Sequence, residues 1–576
     1  MEGMCEGMST VGDARDEWFE TVRRLTLRLV GIRSVSPGPG EIAVAREVVR
    51  LLQEDGLEGA FEAGLDPVAG DPYGRVNAYA YLKGATQRAV VLLGHIDTVN
   101  TADYGPLEEW ALDPEALAAR LDALAASAPE IAPDLAERPG DWLFGRGVVD
   151  MKSGVAANIA VLRHLARRAR EGAPLPLSVI LLATPDEENE SAGVLQAVRF
   201  LAALRERDGL EYVGAINTDY TTPRSPGDPH RYIYTGTIGK LLPSFLVVGK
   251  ESHVGDPFDG LDANLLAAEL IRDLSMNAEL CDVVRGQATP PPVTLHAADL
   301  KVGYDVQLPF AASFYLNVLT FTTGPGALLE RLRVRAEATM PRLLGHVDAM
   351  ERAWLAARAG GGASPLPDRP ARAGIVLNYA ELHARAVARL GEDAVRDALD
   401  AEWARWPASL DKRERSLRLT HRLWTLNGER GPAVVIYYSP PYYPHIAAAP
   451  CALHEAVAAL AAAHPELDLS LEEYFPFLSD MSYLRLEPGV DVAALTANMP
   501  VWHDQDTADA PAHLGAYGLP LDDIRALDLP VVNLGVYGKG AHQRGERVLM
   551  SYSFGTLPRL IVETLERLAA LRVTEA

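Results

Sequence analysis

The stretch Val-Val-Leu-Leu-Gly-His-Ile-Asp-Thr, at residues 90–98, decides the fold because it joins an apolar strand to two polar side chains. Four successive apolar residues predict a strand that is covered on both faces, as in the parallel sheets of α/β proteins. His95 and Asp97 follow where this strand ends. In open α/β sheets, ligands bind at the carboxyl ends of the strands. The stretch therefore predicts a sheet with a polar site at one edge.

The same arrangement recurs along the chain. Three further apolar runs predict buried strands of this sheet, at residues 177–184, 212–218 and 529–534. The first is followed by Glu187 and Glu188, the second by Asp219 and the third, after a short interval, by His542. Helical segments separate the runs, so we expect an α/β fold with a mixed, largely parallel sheet and helices on both faces. Residues 76–82 and 89–93 are expected to pair as a hairpin.

Two stretches interrupt this alternation. Residues 102–141 are rich in Ala, Leu, Asp and Glu and are predicted to be mostly helical. From Gly236 onward, the pattern strand–helix–strand–strand–helix predicts a small α+β domain, followed by extra helices between Glu381 and Trp424. The predicted organisation is a main domain in two parts around an inserted domain: 1–235, 236–430 and 431–576.

Composition and charge exclude several classes of protein. Of the 576 residues, 48% are hydrophobic and 23% are charged, as in globular proteins. A net charge of −24 disfavours nucleic-acid and anionic membrane partners, and no apolar run reaches the ~18 residues of a membrane helix. Three scattered cysteines cannot form a disulfide framework or a thiolate metal site. Without a basic start followed by an apolar stretch, the N-terminus predicts a cytoplasmic protein.

The polar residues at the strand ends have the chemistry of metal ligands. Asp150, in Gly-Arg-Gly-Val-Val-Asp-Met-Lys at residues 145–152, precedes a predicted helix and can join them. Two imidazoles and three carboxylates suit zinc or a similar divalent ion; the predicted set is His95, Asp150, Glu188, Asp219 and His542. Three carboxylates and one hydroxide would balance two divalent ions. A shared carboxylate such as Asp150 would hold the ions roughly 3.5–4 Å apart.

Two neighbouring side chains are candidates for supporting roles. Glu187 and Glu188 are adjacent, so their side chains diverge in an extended loop. Only one of them needs to be a ligand, and the other is free to move a proton between water and a leaving nitrogen. Asp97, two residues beyond His95, is placed to hold the second nitrogen of that imidazole.

Each of these signals has an ordinary explanation when taken alone. A His-x-Asp pair is usually a surface or capping pair, an acidic turn is usually solvated, and Gly-Arg-Gly before a helix is usually a capped turn. Their conjunction at the strand ends of one sheet favours a metal site.

The motifs together resemble the co-catalytic zinc metallopeptidases, a family that includes carboxypeptidase G, aminoacylase and succinyl-diaminopimelate desuccinylase. The resemblance rests on residues 94–98 and 145–152, the glutamate pair, Asp219 and the Gly-Lys-Gly-Ala-His sequence at 538–542. It implies a zinc-exopeptidase-like fold with two divalent ions, zinc first, with manganese or cobalt as alternatives. It further implies the roles of individual residues: His95 and Asp219 bind one ion, Glu188 and His542 the other, Asp150 bridges them and Glu187 is the catalytic base.

Residues 234–240, 437–445 and 477–483 are similar to the arginine-utilisation branch of that family. The resemblance implies a link to arginine, ornithine or proline catabolism. It also implies that the inserted domain is a lid and dimerisation domain of a homodimer, in which His253 completes an active site, commonly that of the partner subunit. Asn317 is implied as a substrate contact. Asp480 is a substrate-pocket residue, a residue that supports a metal ligand, or a capping aspartate.

Two functions from different classes remain. The first is a metal-dependent amidohydrolase or peptidase that cleaves an amide, peptide or ureido bond in a small amino-acid derivative. The alternative is a non-catalytic metal-binding protein that regulates amino-acid utilisation, against which the spare carboxylate of Glu187 argues. The run Tyr-Tyr-Ser-Pro-Pro-Tyr-Tyr at 437–443 is either a rigid aromatic wall or a proline-rich ligand for a partner.

Overall fold

The computed structural model describes residues 10–358, 372–429, 431–504 and 516–571. The chain divides into two compact units. The first unit comprises Met1–Thr237, Ile446–Leu486 and Pro520–Ala576, and the second comprises Ile238–His445 and Glu487–Leu519.

The strands, in chain order, are β1 (Glu62–Pro67), β2 (Val76–Leu82), β3 (Arg88–His95), β4 (Trp142–Phe144), β5 (Ser178–Thr184), β6 (Glu211–Asn217), β7 (Arg231–Tyr234), β8 (Gly239–Leu241), β9 (Pro243–Val248), β10 (Val283–Val284), β11 (Gln287–Ala288), β12 (Val293–Asp299), β13 (Ala311–Thr320), β14 (Ile375–Asn378), β15 (Ala433–Tyr438), β16 (Leu469–Glu472), β17 (Val531–Asn533), β18 (Gly538–Lys539) and β19 (Arg547–Leu549).

The α-helices are α1 (Thr10–Val30), α2 (Gly40–Gln53), α3 (Pro114–Ala118), α4 (Leu121–Ser127), α5 (Ala132–Glu137), α6 (Lys152–Arg170), α7 (Ala192–Asp208), α8 (Ala263–Leu274), α9 (Pro325–Arg358), α10 (Tyr379–Leu390), α11 (Glu392–Ala404), α12 (Lys412–Asn427), α13 (Ala452–Ala463), α14 (Val492–Ala497), α15 (Leu521–Leu527) and α16 (Leu557–Ala570). Short 3-10 helices include Ala102–Trp110, Pro129–Ile131 and Asp480–Leu484, and a π-helix spans Ser551–Thr556.

The first unit is built on an eight-stranded mixed sheet with the order β1-β2-β5-β3-β6-β17-β7-β16. Its centre, from β5 through β3 and β6 to β17, is parallel. Every residue of β5 is buried, which is why this strand is apolar along its length instead of alternating. The expected largely parallel α/β fold is confirmed.

The predicted hairpin of residues 76–82 and 89–93 is wrong. β5 lies between β2 and β3, antiparallel to β2 and parallel to β3. A strand that is apolar on both faces belongs in the interior of a sheet, where it pairs on both edges. β5 occupies this interior position, so β2 and β3 each pair with β5 and do not pair with each other.

Helices cover the sheet because each buries one apolar stripe. On α1, the side chains of Val22, Leu25 and Leu29 are fully buried at helical spacing. They join one core with residues of α6, α16 and the sheet. A separate three-stranded sheet with the order β18-β19-β4 lies in the same unit.

The second unit has its own antiparallel-rich sheet, with the order β12-β13-β9-β15-β14 and with β8 also paired to β13. Its core includes Leu246, Leu382 and Val435. The helix α10 begins with a capping box formed by Asn378 and Glu381. The extra helices predicted between Glu381 and Trp424 correspond to parts of α10, α11 and α12.

The division between the units differs from the predicted boundaries. β15 pairs with β9 and β14, so residues 433–438 belong to the sheet of the second unit, and Glu487–Leu519 also lies in that unit. The tyrosines of the aromatic run at 437–443 are buried, and Tyr438 Oη donates a hydrogen bond to Pro325 O at 2.6 Å. Burial favours the aromatic wall over a proline-rich ligand.

Cys281 and Cys451 are free cysteines. Among the described residues, no helix combines the length and the apolar character that a membrane span requires.

Candidate metal centre

Ligand-type side chains gather at the carboxyl ends of three adjacent parallel strands. His95 is the last residue of β3, and Asp219 follows the end of β6 by two residues. Glu187 and Glu188 lie in the turn after β5. Because β5, β3 and β6 are neighbours in the sheet, their ends bring these four side chains to one edge.

The remaining two residues come from the three-stranded sheet. Asp150 lies between β4 and α6, and His542 lies in the turn between β18 and β19. Since β19 pairs with both β4 and β18, this sheet brings Asp150 and His542 together. His542 has a φ of 62°, a left-handed conformation that is strained for a residue with a side chain.

The contacts between these residues centre on Asp150. His95 Nε2 lies 3.0 Å from Asp150 Oδ1, and His542 Nε2 lies 3.1 Å from Asp150 Oδ2. His542 Nε2 is also 2.9 Å from Glu188 Oε1. In the part of the chain that the structure describes, three groups have ligand atoms within 4.8 Å of one another. Two of them share Asp150: His95, Asp150 and Asp219, and Asp150, Glu188 and His542. The third consists of His95, Glu187 and Glu188.

Glu187 and Asp97 occupy supporting positions. Glu187 Oε2 lies 4.0 Å from His95 Nε2. Asp97 is buried, and its Oδ1 and backbone oxygen lie 3.5 and 3.2 Å from His95 Nδ1. The Asp97 carboxylate also accepts hydrogen bonds from the backbone N–H groups of Glu187 and Glu188 at 3.2 and 3.0 Å. Asp97 thus contacts both the imidazole and the turn that carries the glutamates.

Asp480 lies in the first unit near this site. Its Oδ2 accepts a hydrogen bond at 2.7 Å from Thr184 Oγ1, at the end of β5. The cap of the 3-10 helix Asp480–Leu484 is Ser479, whose side chain accepts from Met481 N–H. Asp480 is therefore not the capping residue.

The imidazoles of His95 and His542 only partly balance the negative charge of the carboxylates in this cluster. Burial raises the pKa of Asp219 to about 8 and that of Asp480 to about 7. Burial also raises the pKa of Glu187 well above its usual range. Burial opposes the ionisation of Asp150 too, yet hydrogen bonds from His542 and His95 hold its pKa below the usual range.

The pKa values of these carboxyl groups indicate whether a metal ion fits the site. Several buried carboxyl groups with raised pKa values share one site with two imidazoles, and a bound cation would favour their ionised forms. Oxygen and imidazole nitrogen donors suit a borderline divalent ion such as zinc. The residues present therefore fit a divalent metal centre.

Several further residues support the site and were not predicted. The carboxylate of Glu546 is buried and accepts hydrogen bonds from the backbone N–H groups of Gly147, Val149 and Asp150 and from Arg146. Arg75 binds Asp71 and Asp186 beside the glutamate turn. Arg146 lies in the motif at residues 145–152, and Glu546 follows His542 by four residues. In the sequence, closeness to a predicted ligand was the feature that could have pointed to these two residues.

His253 and Asn317 belong to the second unit. His253 is exposed in the segment between β9 and α8, and its Nδ1 accepts a hydrogen bond from Gly255 N–H at 3.0 Å. Asn317 is half-buried on β13, opposite Val293 of β12. Both lie on the elements expected from the sequence.

The chain belongs to peptidase family M20/M25/M40, whose family model matches residues 91–507. The family resemblance inferred from the motifs is confirmed. Members are metal-dependent hydrolases, so the chain belongs to a hydrolase family.

Two curated relatives align with nearly the whole chain. RocB of Bacillus subtilis (strain 168) is 32% identical over 567 residues, covering 95% of this chain and 94% of RocB. YqjN of the same organism is 33% identical over 556 residues, covering 94% of this chain and 95% of YqjN.

A solved structure is similar in fold. A tripeptidase from Staphylococcus aureus superposes with a TM-score of 0.50 at 12% identity, covering 96% of this chain and 99% of that chain. At this identity, the likeness supports the fold alone.

Proposed function

We propose that this protein is a two-metal hydrolase that cleaves an amide, peptide or ureido bond in a small amino-acid derivative. The observation that carries the proposal is the pair of ligand groups that share Asp150, beside a third group in which the Glu187 carboxylate lies close to His95 and Glu188. A purely metal-binding protein has no need of that additional carboxylate.

In this proposal, His95 and Asp219 would hold one ion, Glu188 and His542 would hold the other, and Asp150 would be a ligand shared by both. Zinc is the first candidate, followed by manganese and cobalt. Divalent ions in such a pair polarise a carbonyl group and make water a better nucleophile. Glu187 takes a proton from water and passes it to the leaving nitrogen, while Asp97 orients the His95 ring through Nδ1.

The proposed substrate is an N-acyl, N-carbamoyl or dipeptide derivative of one amino acid, and Asn317 and Asp480 are proposed to contact it. Similarity to RocB along nearly the whole chain supports arginine, citrulline, ornithine and proline derivatives as the first candidates. The corresponding role is in the catabolism of those amino acids.

The assembly proposed is a homodimer in the cytoplasm. His253 is proposed to act as a hydrogen-bond donor to the developing oxyanion, from the second unit of the partner subunit. Three cysteines in 576 residues, of which Cys281 and Cys451 are free, suit a reducing compartment.

A substrate panel tests the proposal. The zinc- and manganese-loaded enzymes are incubated with N-acyl, N-carbamoyl and dipeptide derivatives of the four amino acids, and free amine or ammonia is measured. We expect cleavage of at least one class, with turnover about 10²–10⁴-fold lower for the Glu187→Gln variant. Cleavage of long peptides alone would contradict the substrate assignment, and bound metal without any cleavage would favour the regulatory alternative.

A further inference from the structure

One buried carboxylate connects two of the segments that carry the predicted metal ligands. Glu546 lies four residues beyond His542, at the end of the turn between β18 and β19, and none of its surface is exposed. Its Oε1 accepts hydrogen bonds from the backbone N–H groups of Gly147, Val149 and Asp150 at 2.8, 3.2 and 3.4 Å. The turn of His542 is therefore tied to the backbone that carries Asp150.

Arg146 extends the connection to a third segment. Its guanidinium donates to Glu546 Oε2 at 2.6 Å, to Asn100 O at 3.1 Å and to Asp103 Oδ1 at 2.7 Å. Asn100 follows the segment of His95 and Asp97, and Asp103 belongs to the inserted stretch 102–141. The side chains of Arg146 and Glu546 are 1% and 0% exposed, so bulk water does not compete for their ion pair, whereas Asp103 is 33% exposed.

We propose that Glu546, together with Arg146, is a positioning residue that fixes the Asp150 loop against the His542 turn and so presets the distance between the two metal sites. This inference rests on the two-metal centre of the proposed function. Glu546 itself does not touch either imidazole in the described contacts, and it acts through the backbone of residues 147–150.

The physical basis is the geometry of a shared ligand. Asp150 has to present one oxygen toward His95 and the other toward His542, and the present separations of 3.0 and 3.1 Å leave little freedom for its backbone to shift. Three backbone donors that converge on one carboxylate hold that backbone in place. Without the carboxylate, the three backbone donors would lose their acceptor, and the buried Arg146 would keep only Asp103 as an anionic partner.

The test compares Glu546→Gln with a matched control, Asp282→Asn. Asp282 in the second unit is also a buried carboxylate, and it accepts backbone N–H hydrogen bonds from Phe321, Thr322 and Thr323. Zinc affinity is measured by competition with a chromophoric zinc chelator, and thermal unfolding is followed for both metal-free variants. We expect both variants to unfold at lower temperature, and only Glu546→Gln to lose about 10–100-fold in zinc affinity.

Wild-type zinc affinity in Glu546→Gln, or an equal loss in Asp282→Asn, would overturn the inference. If Glu546→Gln does not fold, Arg146→Lys serves instead: it retains a positive charge but loses the planar fork that reaches three partners at once. Unchanged zinc affinity in that variant would overturn the inference as well. A wild-type protein that binds no zinc would contradict the proposed function, whereas two ions bound equally well by wild type and Glu546→Gln would contradict this inference alone.

Discussion

Glu187 and Glu188 are neighbours in the chain, yet their surroundings differ. Glu188 Oε1 lies 2.9 Å from His542 Nε2, inside a group of ligand atoms that also contains Asp150. Glu187 Oε2 approaches an imidazole less closely, at 4.0 Å from His95 Nε2. Burial raises the pKa of both carboxyl groups, that of Glu187 well above its usual range, and a raised pKa favours the proton uptake that a catalytic base requires.

We therefore predict that Glu187→Gln retains its metal and loses turnover by about 10²–10⁴-fold, the usual contribution of a placed base. Glu188→Gln is the matched control, since it makes the same change one residue away and should lose metal. Elemental analysis gives the metal content of both variants, and turnover is measured on a substrate from the panel. Near-normal turnover in Glu187→Gln would contradict the base assignment.

At the residue scale, the sequence predicted the ligand types because each follows an apolar strand or precedes a helix. It could not single out Glu546, since a carboxylate that accepts backbone hydrogen bonds has no characteristic spacing. His542 was predicted from its motif. Its left-handed φ of 62° was not predicted, because it depends on the turn between β18 and β19.

At the scale of elements, the inserted stretch 102–141 supports the turn that carries His542. Asp134 of α5 accepts hydrogen bonds from Lys539 Nζ at 2.6 Å and from Arg547 Nε at 2.8 Å. Lys539 ends β18 and Arg547 begins β19, so the stretch holds the turn at both ends. Helical composition predicted the helices of this stretch, whereas their contacts depend on charges more than 400 residues away in sequence.

The order of the strands in the sheet likewise could not be predicted from the sequence. The sequence located β2, β3 and β5 because each is apolar over a short run. It did not give their order, because apolar runs of similar length are interchangeable until their neighbours are known. β5 pairs with both of the other two strands, and no feature of the separate apolar runs specifies that pairing.

For the whole molecule, the proposed functional residues are divided between the two units. All the proposed metal ligands lie in the first unit, and His253 and Asn317 lie in the second. The sequence predicted an inserted domain from a change of strand–helix pattern near Gly236. It did not predict that Glu487–Leu519 returns to that unit, because this short segment has no distinct pattern.

We predict that mixing inactive His253→Ala and inactive Glu187→Gln proteins restores activity. In a mixed dimer, one active site combines an intact Glu187 with an intact His253 from the partner subunit. The loss in His253→Ala alone should be about 10²–10³-fold in turnover, as for other oxyanion donors. Subunit exchange is verified with differently tagged chains, and exchange without recovered activity would contradict action across the dimer.

The central claim is a centre for two ions built around Asp150, and metal stoichiometry tests it most directly. Elemental analysis of the protein purified without chelator and reconstituted with zinc should give two ions per chain. His95→Ala and His542→Ala should each weaken a different site, and Asp150→Ala should weaken both. One ion per wild-type chain, or none, after reconstitution would contradict the account.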